Sequence, residues 1–186
     1  MPELPLGLAA LQREIAAGRR LPPVENWNPA HCGEIDIRIA HDGTWFHKGT
    51  PIARRELVRL FSTILRKEAD EYYLATPAEK LRIRVEDAPF LAVLLDVRGS
   101  GRDQQLTFTT NVGDEVIADE DHRIRVETAP RSNVPSPYIH VRAGLEARIS
   151  RNVFYQLAEI AVPGERQFAG MLGVWSAGSF FPIGTP

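Results

Sequence analysis

Asp36, Arg38, Trp45 and His47 place an acid, a permanent cation, a broad π surface and a group that titrates near neutrality within one stretch, GEIDIRIAHDGTWFHKGTPI. Such a set can stack a flat ring on Trp45 and pair an anionic group with Arg38. The competing reading is a half-solvated sheet face on which Asp36 and Arg38 neutralise each other and Trp45 is covered. A second set of the same kind, Tyr138, His140, Arg142, Glu146 and Arg148, lies in PYIHVRAGLEARIS. Between them, TNVGDE offers Thr109, Asn111 and Asp114 around Gly113, which can hold hydroxyls or a phosphate or can simply make a turn. Two polar faces that met would form a cleft.

Other chemistries have less to stand on. His31, Cys32, His41 and His47 lie close in sequence but lack paired-cysteine or His-x-x-x-His spacing, and the acidic run DEVIADEDH lacks the EF-hand glycine. No Gly-x-Ser-x-Gly elbow, Walker loop or Gly-x-Gly-x-x-Gly occurs. Cys32 beside His31 could be an activated thiolate, although a lone cysteine entering a sheet is usually buried. Acid-base hydrolysis of a phosphoester would need Asp36 or Asp114 to work with His47 or His140. Lys80, Arg82 and Arg84 read as a solvated basic stripe.

The elements that must position these groups follow from periodicity. Leu8, Leu11 and Ile15 predict a leading helix over 6–17, stopped by Gly18, and RRLPPVENWNP predicts an extended connector. In IDIRIAHDGTWFHK the alternation is strict, and Asp42-Gly43 predicts a two-residue type I′ hairpin turn. That register sets Arg38 opposite His47, Ala40 opposite Trp45 and Ile39 opposite Phe46. It makes Ile35, Ile37, Ile39 and Phe46 the core face, and Asp36, Arg38, Trp45 and His47 the other. After Pro51 an amphipathic helix carries Leu57, Leu60, Phe61, Ile64 and Leu65 on one side, and the strands EYYLAT, KLRIRVED and FLAVLLDV follow. The last is apolar on both sides, so it reads as a central strand.

The second half repeats this grammar. A loop of Arg142, Ala143 and Gly144, with Gly144 left-handed, puts Tyr138 across from Arg148 and His140 across from Glu146. Ile52, Arg54, Leu57, Val58 and Leu60 then match Ile149, Arg151, Phe154, Tyr155 and Leu157 at a constant offset, which reads as a duplication. GVWSAGSFFPIG reads as a closing hairpin.

A chain of 186 residues, 44% hydrophobic and 25% charged, can form one large domain or two small ones, and two is the reading here. A net charge of −2 and a pI near 6.2 lack the cationic excess of a nucleic-acid binder. One cysteine, no signal-peptide pattern and no long apolar window point to a soluble cytoplasmic protein.

WNPAHCGEIDIRIAHDGTWFHKGTPIARRELVRLFSTILR, TNVGDEV, PYIHVRAGLEARISRNVFYQLAE and GVWSAGSFFPIG together resemble the proteobacterial family catalogued as domain of unknown function 1285, from about Val24 to Gly184. The resemblance implies a duplicated α+β core, a C-terminal half superficially like a pleckstrin-homology fold, and a cleft at the domain interface that takes a nucleotide-type ligand in a signalling role. It brings no catalytic residue. The family strings fall on Asp36, Arg38, Trp45, His47, Asn111, Asp114, Tyr138, Arg142 and Arg148, with Trp175 and Phe181 closing one wall. The expected layout is a leading helix and connector over 1–24, an N-terminal α+β domain over 25–88 and a C-terminal one over 89–186. The expected protein is a binding module for a small anionic, nucleotide-like ligand, without cofactor, nucleic acid or membrane. A phosphoester hydrolase and a protein-interaction domain are the alternatives.

Overall fold

The computed structural model describes residues 21–128 and 134–186, so the leading helix expected over 6–17 lies outside the described residues. The chain divides into two compact units, Met1–Asp87 and Ala88–Pro186. Both are α+β and rich in strand, and among the described residues each is built on a six-stranded mixed sheet with one nine-residue α-helix.

In the first unit the sheet runs β3-β2-β1-β6-β5-β4. Its strands are β1 (His31–Ile39), β2 (Trp45–His47), β3 (Thr50–Pro51), β4 (Leu65–Glu68), β5 (Glu71–Ala75) and β6 (Glu79–Val85), with helix α1 (Arg55–Thr63) between β3 and β4. The β1-β2 register corrects the sequence reading. Ile37 faces His47, Arg38 faces Phe46 and Ile39 faces Trp45. The loop holds three residues, not two: the Ala40 N–H donates to Thr44 O at 2.9 Å and the Gly43 N–H to Ala40 O at 2.9 Å. Only Gly43 in it takes a positive φ, 82°, so it is a type I turn closed by a glycine bulge. The Asp42 carboxylate, accepting from the Thr44 N–H at 2.9 Å, holds that shape. The true type I′ turn is the next one, Lys48-Gly49, with φ of 48° and 75°.

A slip of one residue exchanges the faces of a strand. Trp45 is therefore core, 2% exposed, with its ring 6.1 Å from that of Phe61 on α1 and tilted by 23°. Phe46 takes the outer place under the Arg38 guanidinium, 4.2 Å from the ring centre. Helix α1 buries Leu60 and Phe61. It stops at Thr63, where the Ser62 and Thr63 hydroxyls donate back to Arg59 O and Leu60 O, each at 2.7 Å. Ile64 caps it, and Leu65 already begins β4.

The second unit's sheet runs β10-β11-β12-β7-β8-β9. It comprises β7 (Phe90–Arg98), β8 (Gln105–Thr110), β9 (Glu115–Ile117), β10 (Ile124–Thr128), β11 (Pro135–Arg142) and β12 (Leu145–Ile149). Helix α2 (Arg151–Glu159) follows, then a small sheet of β13 (Val162–Pro163), β14 (Leu172–Ser176) and β15 (Ser179–Gly184). Tyr138 faces Arg148 and His140 faces Glu146, as the alternation requires. The turn itself is Ala143-Gly144, both at positive φ, and a bulge before it keeps Val141 and Leu145 buried together. Strand β7 is central, as expected, but not buried throughout, because Val93, Leu94 and Val97 are 38%, 63% and 40% exposed. Its parallel pairing with β12, and three strands after α2, give no support to the expected pleckstrin-homology likeness.

The two helices correspond one residue away from the expected offset. Arg55–Thr63 and Arg151–Glu159 align start to start and end to end, with Ile64 and Ile160 as their C-caps. Phe61 then matches Leu157 in the core, while Tyr155 stands 57% exposed. The hairpins differ in topology, since β1, the first strand of its pair, takes the parallel neighbour in one unit and β12, the second, takes it in the other.

Candidate functional site

The outer face of the first sheet carries the charged residues that the sequence singled out. Glu34, Asp36 and Arg38 on β1 stand beside Arg82 and Arg84 on β6, in a wide groove of about 820 Å³. Each guanidinium is occupied. Arg38 is paired with Glu86, Arg82 with Glu34 and, at 2.7 Å, with Glu71, and Arg84 with Asp36 at 3.2 Å. The His41 backbone N–H and the Arg38 guanidinium hold the Glu86 carboxyl below the usual carboxylate range. Glu71, bonded to the Tyr73 hydroxyl and to Arg82, is lowered likewise. Lys80 completes the stripe by binding Glu68 at 2.7 Å. The groove is lined by five carboxylates (Glu34, Asp36, Asp70, Glu71 and Glu86) against three guanidiniums. An anion gains Arg38 there only by displacing Glu86.

The inner side of the same sheet holds a different kind of site. His47, placed by the observed register on the face of Ile37, lines an apolar pocket of about 220 Å³ between the hairpin and α1. Ile35, Ile37, Ile52, Leu57 and Phe61 form its walls, and Thr50, Arg54 and His47 supply its polar atoms. The tight Lys48-Gly49 turn folds Thr50 and Pro51 back on β2, and the Ile52 N–H donates to Trp45 O at 2.8 Å, which brings the chain across the pocket before α1 begins. Arg54 is the N-cap residue of α1 and makes no side-chain capping bond. Neither the His47 nor the Arg54 side chain has a hydrogen-bond or ion-pair partner among the described residues, and no carboxylate lines this pocket.

The second-unit candidates are engaged within their own unit. Arg142 binds Asp114 at 2.5 Å and lies 5.0 Å from the centre of the Phe90 ring. Asn111 clasps β7 as a strand would: its N–H donates to Leu91 O at 2.8 Å, and its Oδ1 accepts from the Leu91 N–H at 3.0 Å. Tyr138 is buried, with the Arg125 guanidinium 4.4 Å from its ring centre. Arg125 also forks both oxygens of Glu146 at 2.6 Å, and this carboxylate, with that of Glu127, drives its already high pKa higher still. Arg148 faces Tyr138 across the ladder. Trp175 lies in an edge contact with Phe180, centroids 5.3 Å apart, and under Arg102 at 4.7 Å.

Within each unit the acid-base pair does not assemble. Asp36 projects from the outer face and His47 from the inner one, so the sheet separates them. His140 holds Asp121 O through Nδ1 at 2.8 Å and accepts the Gly144 N–H at Nε2 at 3.2 Å, while Asp114 holds Arg142. Cys32 is exposed on β1, not buried. Among the described residues no group of three or more His, Cys, Asp or Glu could hold a metal ion, and no helix is long and apolar enough to cross a membrane.

The sequence reading found His47 but missed Thr50, Ile52, Arg54 and Leu57 as its neighbours. Lys48-Gly49 was the available signal, since a two-residue x-Gly turn between strand-forming residues brings Thr50 back beside His47.

Residues 22–88 match the N-terminal domain, and residues 89–183 the C-terminal domain, of the protein family of unknown function DUF1285. The chain belongs to this family. A crystal structure of a DUF1285 family protein from Silicibacter pomeroyi DSS-3 is 52% identical, covers 96% of this chain and 95% of its own, and superposes with a TM-score of 0.85. A second, from Shewanella baltica OS155, is 28% identical over 67% of this chain and 91% of its own, with a TM-score of 0.53. No curated protein matches. In DUF1285 terms, both the charged groove and the apolar pocket lie within the N-terminal domain, whereas the Arg142-Asp114 pair lies within the C-terminal one.

Proposed function

We propose that this DUF1285 protein is a non-catalytic, regulatory binding module whose ligand is a small anion with an apolar body, lodged in the pocket between the first hairpin and α1. The observation that carries the reading is the state of the pocket's polar groups. The His47 and Arg54 side chains have no partner among the described residues at an apolar cavity, while Arg38, Arg82 and Arg84 on the opposite face are all held by carboxylates. Ligand sites are mostly apolar with a few placed polar groups, and this pocket has that composition. At about 220 Å³ it is smaller than the ~300–1,000 Å³ typical of sites for drug-sized molecules, so a whole nucleotide does not fit inside. The ligand class expected from the resemblance is thereby narrowed from nucleotide-like to something more compact. Of the residues expected to bind, His47 stays a contact and Trp45 becomes a reporter behind Phe61.

The test is a thermal-shift screen with a chemically mixed panel of small anions, neutral molecules and nucleotides, repeated on Leu57→Trp, which fills the pocket. Compact organic molecules should raise the melting temperature by mass action in the natural protein and lose that effect in the variant. Stabilisation by nucleotides that survives Leu57→Trp would move the site elsewhere and sink this reading.

A further inference from the structure

Resting on that reading of the pocket, we infer that its ligand is a monocarboxylic acid with a single compact apolar group, about one ring or a short branched chain, and not a phosphate or sulfate ester. Size sets the first half. An engineered cavity of about 150 Å³ lined by Leu, Ile and Phe accepts benzene, and this one, at about 220 Å³ with walls of the same kind, leaves room for one further small group.

Charge sets the second half. The rim presents one guanidinium, Arg54, one imidazole, His47, and one hydroxyl, Thr50. A guanidinium matches the two oxygens of a carboxylate in a planar fork and balances its single charge. A phosphate monoester carries nearly two charges and a third oxygen at neutral pH. Arg54 is the one guanidinium among the lining residues, so at this mouth a phosphate monoester would keep about one charge unbalanced. Uncharged apolar molecules would fill the cavity but leave Arg54 and His47 unused. The orientation follows: the apolar group enters toward Phe61 and Ile37, both buried, and the carboxylate stays at the exposed Arg54.

Trp45 makes the event visible. Its ring stacks on Phe61, a wall of the pocket, and its indole N–H is buried without a partner. A ligand pressing on Phe61 alters the surroundings of the indole. The experiment uses the full chain carrying Trp27→Phe and Trp175→Phe, which leaves Trp45 as the sole tryptophan. Benzoate, isovalerate, benzamide, phenyl phosphate and inorganic phosphate are titrated with fluorescence and melting temperature as readouts.

Benzoate or isovalerate should bind with a saturable change, and benzamide about tenfold or more weaker, as expected for loss of one charge-assisted contact. Arg54→Ala should weaken benzoate to about the benzamide level while leaving the unliganded melting temperature near that of the parent, because the Arg54 side chain makes no capping bond. Equal binding of benzamide and benzoate overturns the carboxylate and leaves the pocket standing. Phenyl phosphate binding more tightly than benzoate does the same. No response to any organic probe, with the fold intact by circular dichroism, overturns both this inference and the reading beneath it.

Discussion

Arg142 and Asp114 join the end of β11 to the turn between β8 and β9, and their energy is set by partial exposure. Their side chains are 22% and 26% exposed and meet at 2.5 Å, with Arg142 also lying over Phe90. A pair this wet gains far less than a buried one but more than a free surface pair. A double-mutant cycle of Arg142→Met and Asp114→Ala should give a coupling on the order of 1 kcal/mol, read from urea midpoints, and no coupling would mean that the pair only decorates the loop. Asp42 acts through its charge state. The Thr44 backbone and side chain bond its carboxylate and hold its pKa below the ordinary aspartate value. A carboxyl depressed by folding adds stability above its unfolded pKa and loses it as pH falls through the folded one. The melting-temperature advantage of the natural protein over Asp42→Ala should therefore be present near pH 6 and close as the pH drops below about 4, whereas Asp42→Asn, which keeps an acceptor, should run flatter.

At the scale of elements, the longer strands and the second helix were legible because apolar periods of two and of three to four survive any choice of loop, whereas Leu65, expected on the first helix, opens β4. The register of the first hairpin was not. Asp-Gly serves both a two-residue type I′ turn and a type I turn closed by a left-handed glycine, and the two differ by the one residue that exchanges the faces. In the second hairpin only one register kept Ile139, Ala147 and Ile149 on one face, so the side chains decided what the turn could not. The first hairpin offered Phe46 and Trp45 as rival core residues, and alternation cannot choose between two aromatics. Trp45 won because the loop holds His41 as well as Asp42 and Gly43. Deleting His41 should leave a two-residue Asp42-Gly43 turn between Ala40 and Thr44, so that Ile39 still faces Trp45, Trp45 keeps its 2%-exposed place and the near-ultraviolet signal survives. Loss of that signal would mean that the register depends on the three-residue loop itself. Gly173 of β14 tests a different constraint, close approach. A Cβ there would lie 2.5 Å from Phe181 O and 2.4 Å from the Phe180 ring, so Gly173→Ala should cost roughly 1–3 kcal/mol by overpacking, measurable in a urea titration.

For the whole molecule, composition left one large domain or two small ones open, the repeated hairpin-helix pattern favoured two, and neither could say what binds. Division into halves follows apolar periods spread along the chain, whereas the pocket depends on Arg54 and Leu57 being folded onto His47 beside Thr50; the Lys48-Gly49 turn signals Thr50, and no spacing rule records the other two. The two cores are separate sets of residues. Trp45, Phe61, Ile64 and Leu74 are buried in the first, and Phe90, Phe108, Ile139 and Leu157 in the second. Units with their own cores can unfold on their own terms. The tryptophans report them separately, Trp27 and Trp45 in the first unit and Trp175 in the second. With Trp175→Phe as the background, urea-induced fluorescence change follows the first unit alone. Phe61→Ala should then lower that midpoint by an amount equivalent to about 3–5 kcal/mol, the usual cost of emptying a buried phenylalanine site. Phe108→Ala, equally buried but in the second unit, should leave it in place while shortening the circular-dichroism transition at lower urea. A common shift of one transition by both substitutions would show instead that the halves unfold as a single cooperative body, and ligand binding in the first would then stabilise the second by the same amount.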